Sequence, residues 1–320
     1  MKKIIYLLAL SLIVFTGCKK EEVAPPVEGD SFETLTTYLV SNDLDIPDVI
    51  NGWIVAPPAS EDASTFIGTY DILDIRSAEH FAEGHIEGAT NTTLGNILSA
   101  AQSASKPILV VCYTGQSASH AVVALKLSGH TSAKVLKWGM SGWNSNFSGP
   151  WAGAIGNSAD DHSGNWIAAP GSITTTGSFD SPSFTTNATD GAGILKEQVD
   201  KMLSGGFKGI TNNDVLSNPA NYFTNNYWSN DDVSHYGHIT GAYRLNPLTL
   251  ENNEIKGLDP TKTIVTYCWT GQTSSMVTAY LNVIGYNAVS LKFGTNGMIY
   301  DSLESHKFVT PTTDLPVVTE

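Results

Sequence analysis

Only three cysteines occur in the 320 residues, Cys18, Cys112 and Cys268, too few for the disulfide framework that small exported domains use to supplement a thin core. Basic residues are also scarce: 17 Lys and Arg stand against 31 Asp and Glu, a formal charge of −14. Nucleic acid is thereby excluded as a partner class, since binding it calls for clustered Lys and Arg. No long acidic run is present either, so the acidity reads as solubility. Nor is any apolar stretch long enough to serve as a permanent membrane helix.

What is present begins with an apolar run over residues 4–15, preceded by Lys2 and Lys3 and ending in Thr16-Gly17-Cys18. A charged start, a short apolar middle and a small-residue end are the marks of an export signal. Small residues before a cysteine resemble the lipobox of bacterial lipoproteins. That resemblance implies removal of residues 1–17 and lipidation of Cys18, which would make this cysteine an anchor and the mature chain two units more negative. An ordinary secretory signal is the alternative, and both readings export the chain. Residues 18–31, charged and proline-containing, read as a flexible tether. Lys19 stands where lipoproteins kept at the inner membrane often carry aspartate, so the expected location is the bacterial cell envelope, lipid-anchored, at the outer membrane.

With 41% hydrophobic residues, the remainder is long enough for two domains with cores of their own. Short apolar strands alternate with helical stretches: 70–75 reads as a strand, 78–82 as a short helix, 108–111 as a buried strand, and 117–127 as a helix with Ala118, Ala121, Val122 and Leu125 on one face. Such alternation predicts parallel sheets flanked by helices. Residues 151–192, dense in Gly, Ser, Thr, Asn and Asp, read as an interdomain linker. The second half then repeats the first. Gly84-His85-Ile86-Glu87-Gly88-Ala89 returns as Gly237-His238-Ile239-Thr240-Gly241-Ala242, Cys112-Tyr113-Thr114-Gly115-Gln116-Ser117 as Cys268-Trp269-Thr270-Gly271-Gln272-Thr273, and Lys137-Trp138-Gly139 as Lys292-Phe293-Gly294. Three landmarks in one order at near-constant spacing mark a duplicated domain, placed at 32–150 and 193–308, with 309–320 as a C-terminal tail.

Each cysteine follows a buried apolar strand and precedes a helix. Backbone N–H groups at a helix start favour an anion, and so stabilise a thiolate; Gly115 and Gly271 permit the tight turn this requires. The loop residues Tyr113, Thr114, Gly115, Gln116 and Ser117, with Trp269, Thr270, Gly271, Gln272 and Thr273, are the candidate anion cradle. Lys137 and Lys292 end predicted strands at 133–136 and 288–291, where open α/β sheets bind ligands. They are the candidate cations for an anionic substrate, against the reading of solvated strand-end lysines. His85 and His238, fixed in a recurring turn, read as hydrogen-bonded structural histidines rather than bases. His120 has Met276 as its counterpart and lies outside any shared machinery.

The Cys-x-x-Gly-x-Ser/Thr loop, preceded by Gly-His-Ile-x-Gly-Ala and followed by a Lys-aromatic-Gly turn, resembles the rhodanese domain over residues 70–150 and 205–300. Asp74-Ile75-Arg76 matches the family's Asp-x-Arg, which implies a structural ion pair; the second copy has none. The resemblance implies an α/β fold of two rhodanese-like domains, each a small parallel sheet flanked by helices. It also implies sulfur transfer, in which Cys112 and Cys268 take an outer sulfur from a small donor, become persulfides, and yield that sulfur to cyanide, a thiol or a protein cysteine. No metal or organic cofactor is implied. The loops lack the arginine or lysine of many thiosulfate-using relatives, which argues against thiosulfate as the preferred donor.

Two other functions suit the same loop. A cysteine phosphatase or arsenate reductase also cradles an anion above a cysteine, but such sites use a longer loop ending in arginine. A non-catalytic, lipid-anchored carrier of sulfur or selenium would keep both cysteines without turnover.

Overall fold

The computed structural model describes residues 31–319 apart from 172 and 174; the signal segment, Cys18 and all but the last residue of the expected tether lie outside the described residues. Ser31, placed by the sequence at the end of that tether, instead opens helix α1 (Ser31–Ser41).

The first sheet contains strands β1 (Ile54–Val55), β2 (Asp71–Asp74), β3 (Thr90–Asn91), β4 (Ile108–Val111) and β5 (Lys134–Leu136) in the order β1-β5-β4-β2-β3, all parallel. β4 lies central, and all four of its residues are buried, which is why it reads as an unbroken apolar run rather than an alternating one. A short strand β6 (Trp166–Ile167) follows. The second sheet contains β7 (Gly209–Ile210), β8 (Phe223–Asn226), β10 (Ile264–Tyr267) and β11 (Ala288–Leu291) in the order β7-β11-β10-β8, again parallel, while β9 (His238–Ile239) pairs with β6. The order β1-β5-β4-β2 thus recurs as β7-β11-β10-β8, and the first copy adds β3 at its edge. Even the register repeats: Val135 lies opposite Val110, and Ser290 opposite Thr266, in each case two residues before the cysteine.

Helix α2 (Gln116–Leu127) follows the first cysteine loop, and its counterpart α4 (Gln272–Val283) follows the second. They pack against each other, and α3 (Gly191–Ser204) packs on both while receiving α1. Ala118, Ala121, Val122 and Leu125 share one core cluster with Met276, Val277, Ala279 and Tyr280. The sequence reading gave α2 one apolar face; apart from Ser117, however, every residue of α2 is buried. A helix held between two domains has no free face, so its amphipathicity is weak.

The segments after each domain cross over to the other one. Ile167, in the expected linker, pairs with His238 of the second copy, and Val318, in the expected tail, bridges His85 of the first. Each covers the edge of the Gly-His-Ile-x-Gly-Ala turn. Trp143 and Asn144 donate side-chain hydrogen bonds to the carbonyls of Pro316 and Leu315, at 2.9 and 3.0 Å. Linker and tail therefore act as reciprocal straps. The histidines are buried, with His85 Nδ1 2.9 Å from the Phe81 carbonyl and His238 Nδ1 2.9 Å from the Ile239 carbonyl.

His120, in the shared helical core, is fully buried against Phe207, with Nε2 accepting weakly from Lys208 N–H at 3.5 Å. Burial, with Lys208 nearby, pushes it down from 6.5 to about 3. Below about pH 6.5 the unfolded chain therefore binds a proton that the folded chain refuses, and stability is lost as the pH falls from 6.5 toward 3. At pH 4.5 the loss should reach roughly 2 to 3 kcal/mol. His120→Met, which installs the residue of the second copy, should flatten the acid limb of urea-melt stability between pH 7 and 4.5; a slope unchanged from wild type would show that His120 does not set it.

Candidate active site

Two matching loops at the carboxyl ends of the central strands form the candidate site. β4 delivers Cys112 and β10 delivers Cys268, and both thiols are free and buried, at 4% and 2% exposure. Gly115 and Gly271 cap the following helices at φ of 78° and 76°, a left-handed conformation that costs a side-chain-bearing residue energy. Thr114 Oγ1 accepts from Gln116 N–H at 3.4 Å and Thr270 Oγ1 from Gln272 N–H at 3.2 Å, so the threonines shape the turn.

The sulfurs themselves are held differently. Gly115 N–H donates to Cys112 Sγ at 3.1 Å, whereas Cys268 Sγ accepts from Ser274 N–H at 3.3 Å, in the first turn of α4. Cys268 also lies 3.6 Å from Ser274 Oγ. Among the described residues neither Lys137 nor Lys292 is a hydrogen-bond partner of a sulfur.

Behind each loop sits the Lys-aromatic-Gly turn. Met140 N–H donates to the Cys112 carbonyl at 2.8 Å and Thr295 N–H to the Cys268 carbonyl at 3.1 Å. A Cβ on Gly139 or Gly294 would collide with that same cysteine carbonyl, and both glycines have positive φ. The third landmark of the duplication is therefore the backing of the first.

Gln116 and Gln272 belong to the loop by sequence, but their side chains leave it. Gln116 Oε1 accepts from Phe293 N–H of the other copy at 2.9 Å and lies over Gly271, while the Gln272 amide lies over Gly115. Each glutamine thus braces the opposite loop. Ser117 and Thr273 are half-exposed at the helix starts.

Aromatic rings line the approach. Tyr113 lies 5.1 Å from the Arg76 guanidinium and 5.1 Å from the His80 ring. Burial raises the Tyr113 hydroxyl above the usual range, partly offset by Arg76. Arg76 and Asp74 form a buried ion pair at 2.7 Å, and Arg76 also donates to the Gly84 carbonyl at 2.7 Å. In the second copy Asn226 and Trp228 take these places. Asn226 Oδ1 accepts from Trp228 N–H at 2.9 Å, as Asp74 Oδ1 does from Arg76 N–H at 3.0 Å. The Trp228 ring then lies 4.3 Å from Trp269, so an aromatic pair replaces the cation over an aromatic ring.

Trp269 also stacks on His306 at 5.0 Å. His306 is pushed below the usual histidine range by partial burial and by the charge of Lys137, a residue of the first domain. Its ammonium lies 5.2 Å from the Trp138 ring. Lys292 instead lines an open groove of about 670 Å³ together with Phe293, Asn212, Asp160 and Asp161. Among the described residues no group of three or more His, Cys, Asp or Glu is placed to hold a metal ion.

Sequence reasoning, which allowed local structure around Trp151 and Trp166 within the linker, did not place Trp151, Phe308 or two serines at the site. Trp151 stacks on Phe308 at 5.1 Å, meets Trp138 and Phe293 at 4.8 and 4.9 Å, and donates to the Thr114 carbonyl at 3.2 Å. Nothing in its neighbouring residues signalled this. Ser274 and Ser290 were visible only by aligning the copies, where Ala118 and Val135 stand opposite them.

The rhodanese-like domain family matches residues 60–146 and 217–298, together more than half of the chain. Thiosulfate sulfurtransferase GlpE of Pseudomonas entomophila is 32% identical over 83 residues, 25% of this chain and 76% of the relative. The protein of the same name from Shewanella oneidensis is 36% identical over 75 residues, 23% of this chain and 74% of the relative. Among solved structures, a rhodanese-related protein from Thermoplasma volcanium is 20% identical, covers 36% of this chain and 100% of its own, and has a TM-score of 0.25. Thiosulfate sulfurtransferase from Pseudomonas aeruginosa is 14% identical, with 88% of this chain and 48% of its own covered and a TM-score of 0.29.

Proposed function

Because this chain belongs to the rhodanese-like domain family and carries the domain twice, we propose that it is a sulfurtransferase in which Cys112 and Cys268 carry sulfur as persulfides between a small donor and a thiol or similar nucleophile. One observation carries the reading: in both copies a buried cysteine ends a central parallel strand and its sulfur accepts a backbone N–H, at 3.1 and 3.3 Å, where a helix begins. The thiolate attacks the outer sulfur of the donor, forming a Cys S–S bond as the donor's bond to that sulfur breaks and its electron pair leaves with the donor remnant. A nucleophilic acceptor then attacks the outer sulfur and the cysteine departs as thiolate. The amide donors suit both anions, thiolate and persulfide. Export and a lipid anchor at Cys18, read from the leader, would place this chemistry in the cell envelope.

A steady-state screen of thiosulfate, mercaptopyruvate and polysulfide, with cyanide and a thiol as acceptors, tests the proposal on the wild type and the two single Cys→Ser variants. Turnover on none of them, with a stable sulfur adduct, would make the protein a carrier; hydrolysis of an aryl phosphate in place of sulfur transfer would move it to the phosphatase class.

Both loops lack their own cation, and the charge of Lys137 acts on His306, which stacks on Trp269; this supports a role for Lys137 in holding an anionic donor at Cys268. In a Cys112→Ser background, Lys137→Met should raise KM for such a donor about two- to fivefold, the range of a partly exposed charge pair, with kcat little changed. Unchanged KM would discard that role.

A further inference from the structure

The two copies differ in what lies behind the sulfur. In the second, Cys268 Sγ lies 3.6 Å from Ser274 Oγ, Ser274 Oγ lies 2.8 Å from Ser290 Oγ, and Ser290 Oγ reaches the Gly271 carbonyl at 3.3 Å. Ser275 Oγ meets Ser290 Oγ at 3.2 Å and donates to the same carbonyl at 2.6 Å. All three serines are wholly buried. In the first copy Ser119 keeps, among the described residues, only the bond to the carbonyl, Gly115 O at 2.7 Å, while Ala118 and Val135 replace Ser274 and Ser290.

We propose that Ser274, backed by Ser290, is a positioning residue that holds Cys268 as an anion and so makes the two duplicated sites unequal, with Cys268 the faster sulfur acceptor. This rests on the sulfurtransferase reading only for its consequence in turnover. With the thiol protonated, S–H donates to Ser274, Ser274 to Ser290, and Ser290 to the Gly271 carbonyl. When the thiol proton leaves to solvent, each hydroxyl turns the other way: Ser290 donates to Ser274, Ser274 donates to the sulfur anion, and Ser275 alone satisfies the carbonyl. No hydroxyl loses its proton, and every buried oxygen keeps a partner in both states. A hydroxyl donor in a dry site stabilises an anion more than the same donor in water. Among the described residues Cys112, with Ala118 behind it, has the amide of Gly115 alone.

Neither Tyr227 nor His306 supplies this effect, and Lys137, whose charge acts on His306, is the same in wild type and in Ser274→Ala, so it does not contribute to their difference. Tyr227 interacts with it electrostatically, but burial, with Asp45 adding to it, pushes that phenol up to about 12, so it is neutral over the working range. His306, across the Trp269 ring, is pushed below the usual histidine range by burial and by Lys137, which disfavours its charged form.

The test is the rate of iodoacetamide labelling of each cysteine in the full chain, resolved by peptide mass spectrometry from pH 5.5 to 10, with Cys112 as the reference in the same molecule. Ser274→Ala gives the second copy the alanine that the first already accommodates, and Ser290→Val gives it the corresponding valine. Ser274→Ala should slow labelling of Cys268 about tenfold at pH 6, with the difference closing by pH 10 and Cys112 unaffected; Ser290→Val should move it the same way by less. An equal loss at every pH would mean that Ser274 only packs, and no loss, or a wild-type Cys268 that resists labelling throughout, would overturn the proposal. Labelling requires no sulfur transfer, so a failure of the sulfurtransferase reading would appear separately, in the donor screen.

Discussion

The double variant Cys112→Ser/Cys268→Ser should lose sulfur transfer by more than about a thousandfold, because removing the nucleophile leaves only binding and the amide donors. Serine fits where cysteine fits, so the fold should persist, and a melting curve within a few degrees of wild type would confirm that the loss is chemical. Neither single variant should be dead. Each loop has its own strand end, its own amide donor and its own aromatic mouth, Tyr113 with Arg76 in one copy and Trp269 with Trp228 in the other. If the hydroxyl chain behind Cys268 acts as proposed, Cys112→Ser should retain the larger share of turnover at pH 6. A double variant that still transferred sulfur would remove both cysteines from the mechanism.

The second large effect is on stability. Gly139→Ala and Gly294→Ala should each cost roughly 2 to 4 kcal/mol, from a left-handed backbone occupied by a side chain and a Cβ directed at the cysteine carbonyl. Neither collision is with the far end of a flexible side chain. The obstacle is the backbone of the loop itself, so relief must come from moving the cysteine. Thermal unfolding should therefore fall by several degrees, with a loss of turnover at that cysteine beyond what the unfolded fraction explains. Gly88→Ala is the comparison: its φ is also positive, but a Cβ there meets open space, so it should cost less and leave both cysteines working. Equal effects at Gly88 and Gly139 would mean that the contact with the loop carries nothing.

Much of this was legible in the sequence wherever the signal was local. The apolar run before Cys112 read as a buried strand, as all four of its positions are, and the recurrence of Lys-aromatic-Gly, read as a landmark of the duplication, falls where a side chain on the glycine would strike the loop. The two loops were found from residue type alone. What could not be read was direction and distance. Gln116 and Gln272 sit among loop residues, yet in each the side chain leaves its own sulfur and lies on the opposite glycine, a contact between residues more than a hundred positions apart. Residues 151–192 and 309–320 looked like linker and tail because their polar composition suits a loop; their described part also suits a strap that contributes backbone hydrogen bonds and a few anchors such as Trp151 and Leu315. The weak amphipathicity of α2 belonged to the domain interface, which no single copy reveals. Ser274 and Ser290 lie 16 residues apart in sequence and meet only because β11 packs beside the start of α4.

The central claim is that both cysteines carry sulfur, and intact-mass spectrometry of the protein after brief exposure to a competent donor tests it most directly. The wild type should gain about 32 Da per persulfide in two steps, each single Cys→Ser variant one step, and the double variant none, with every addition discharged by an added thiol. Additions that persist in the double variant, or a wild type that turns over donor without ever carrying sulfur on Cys112 or Cys268, would contradict it.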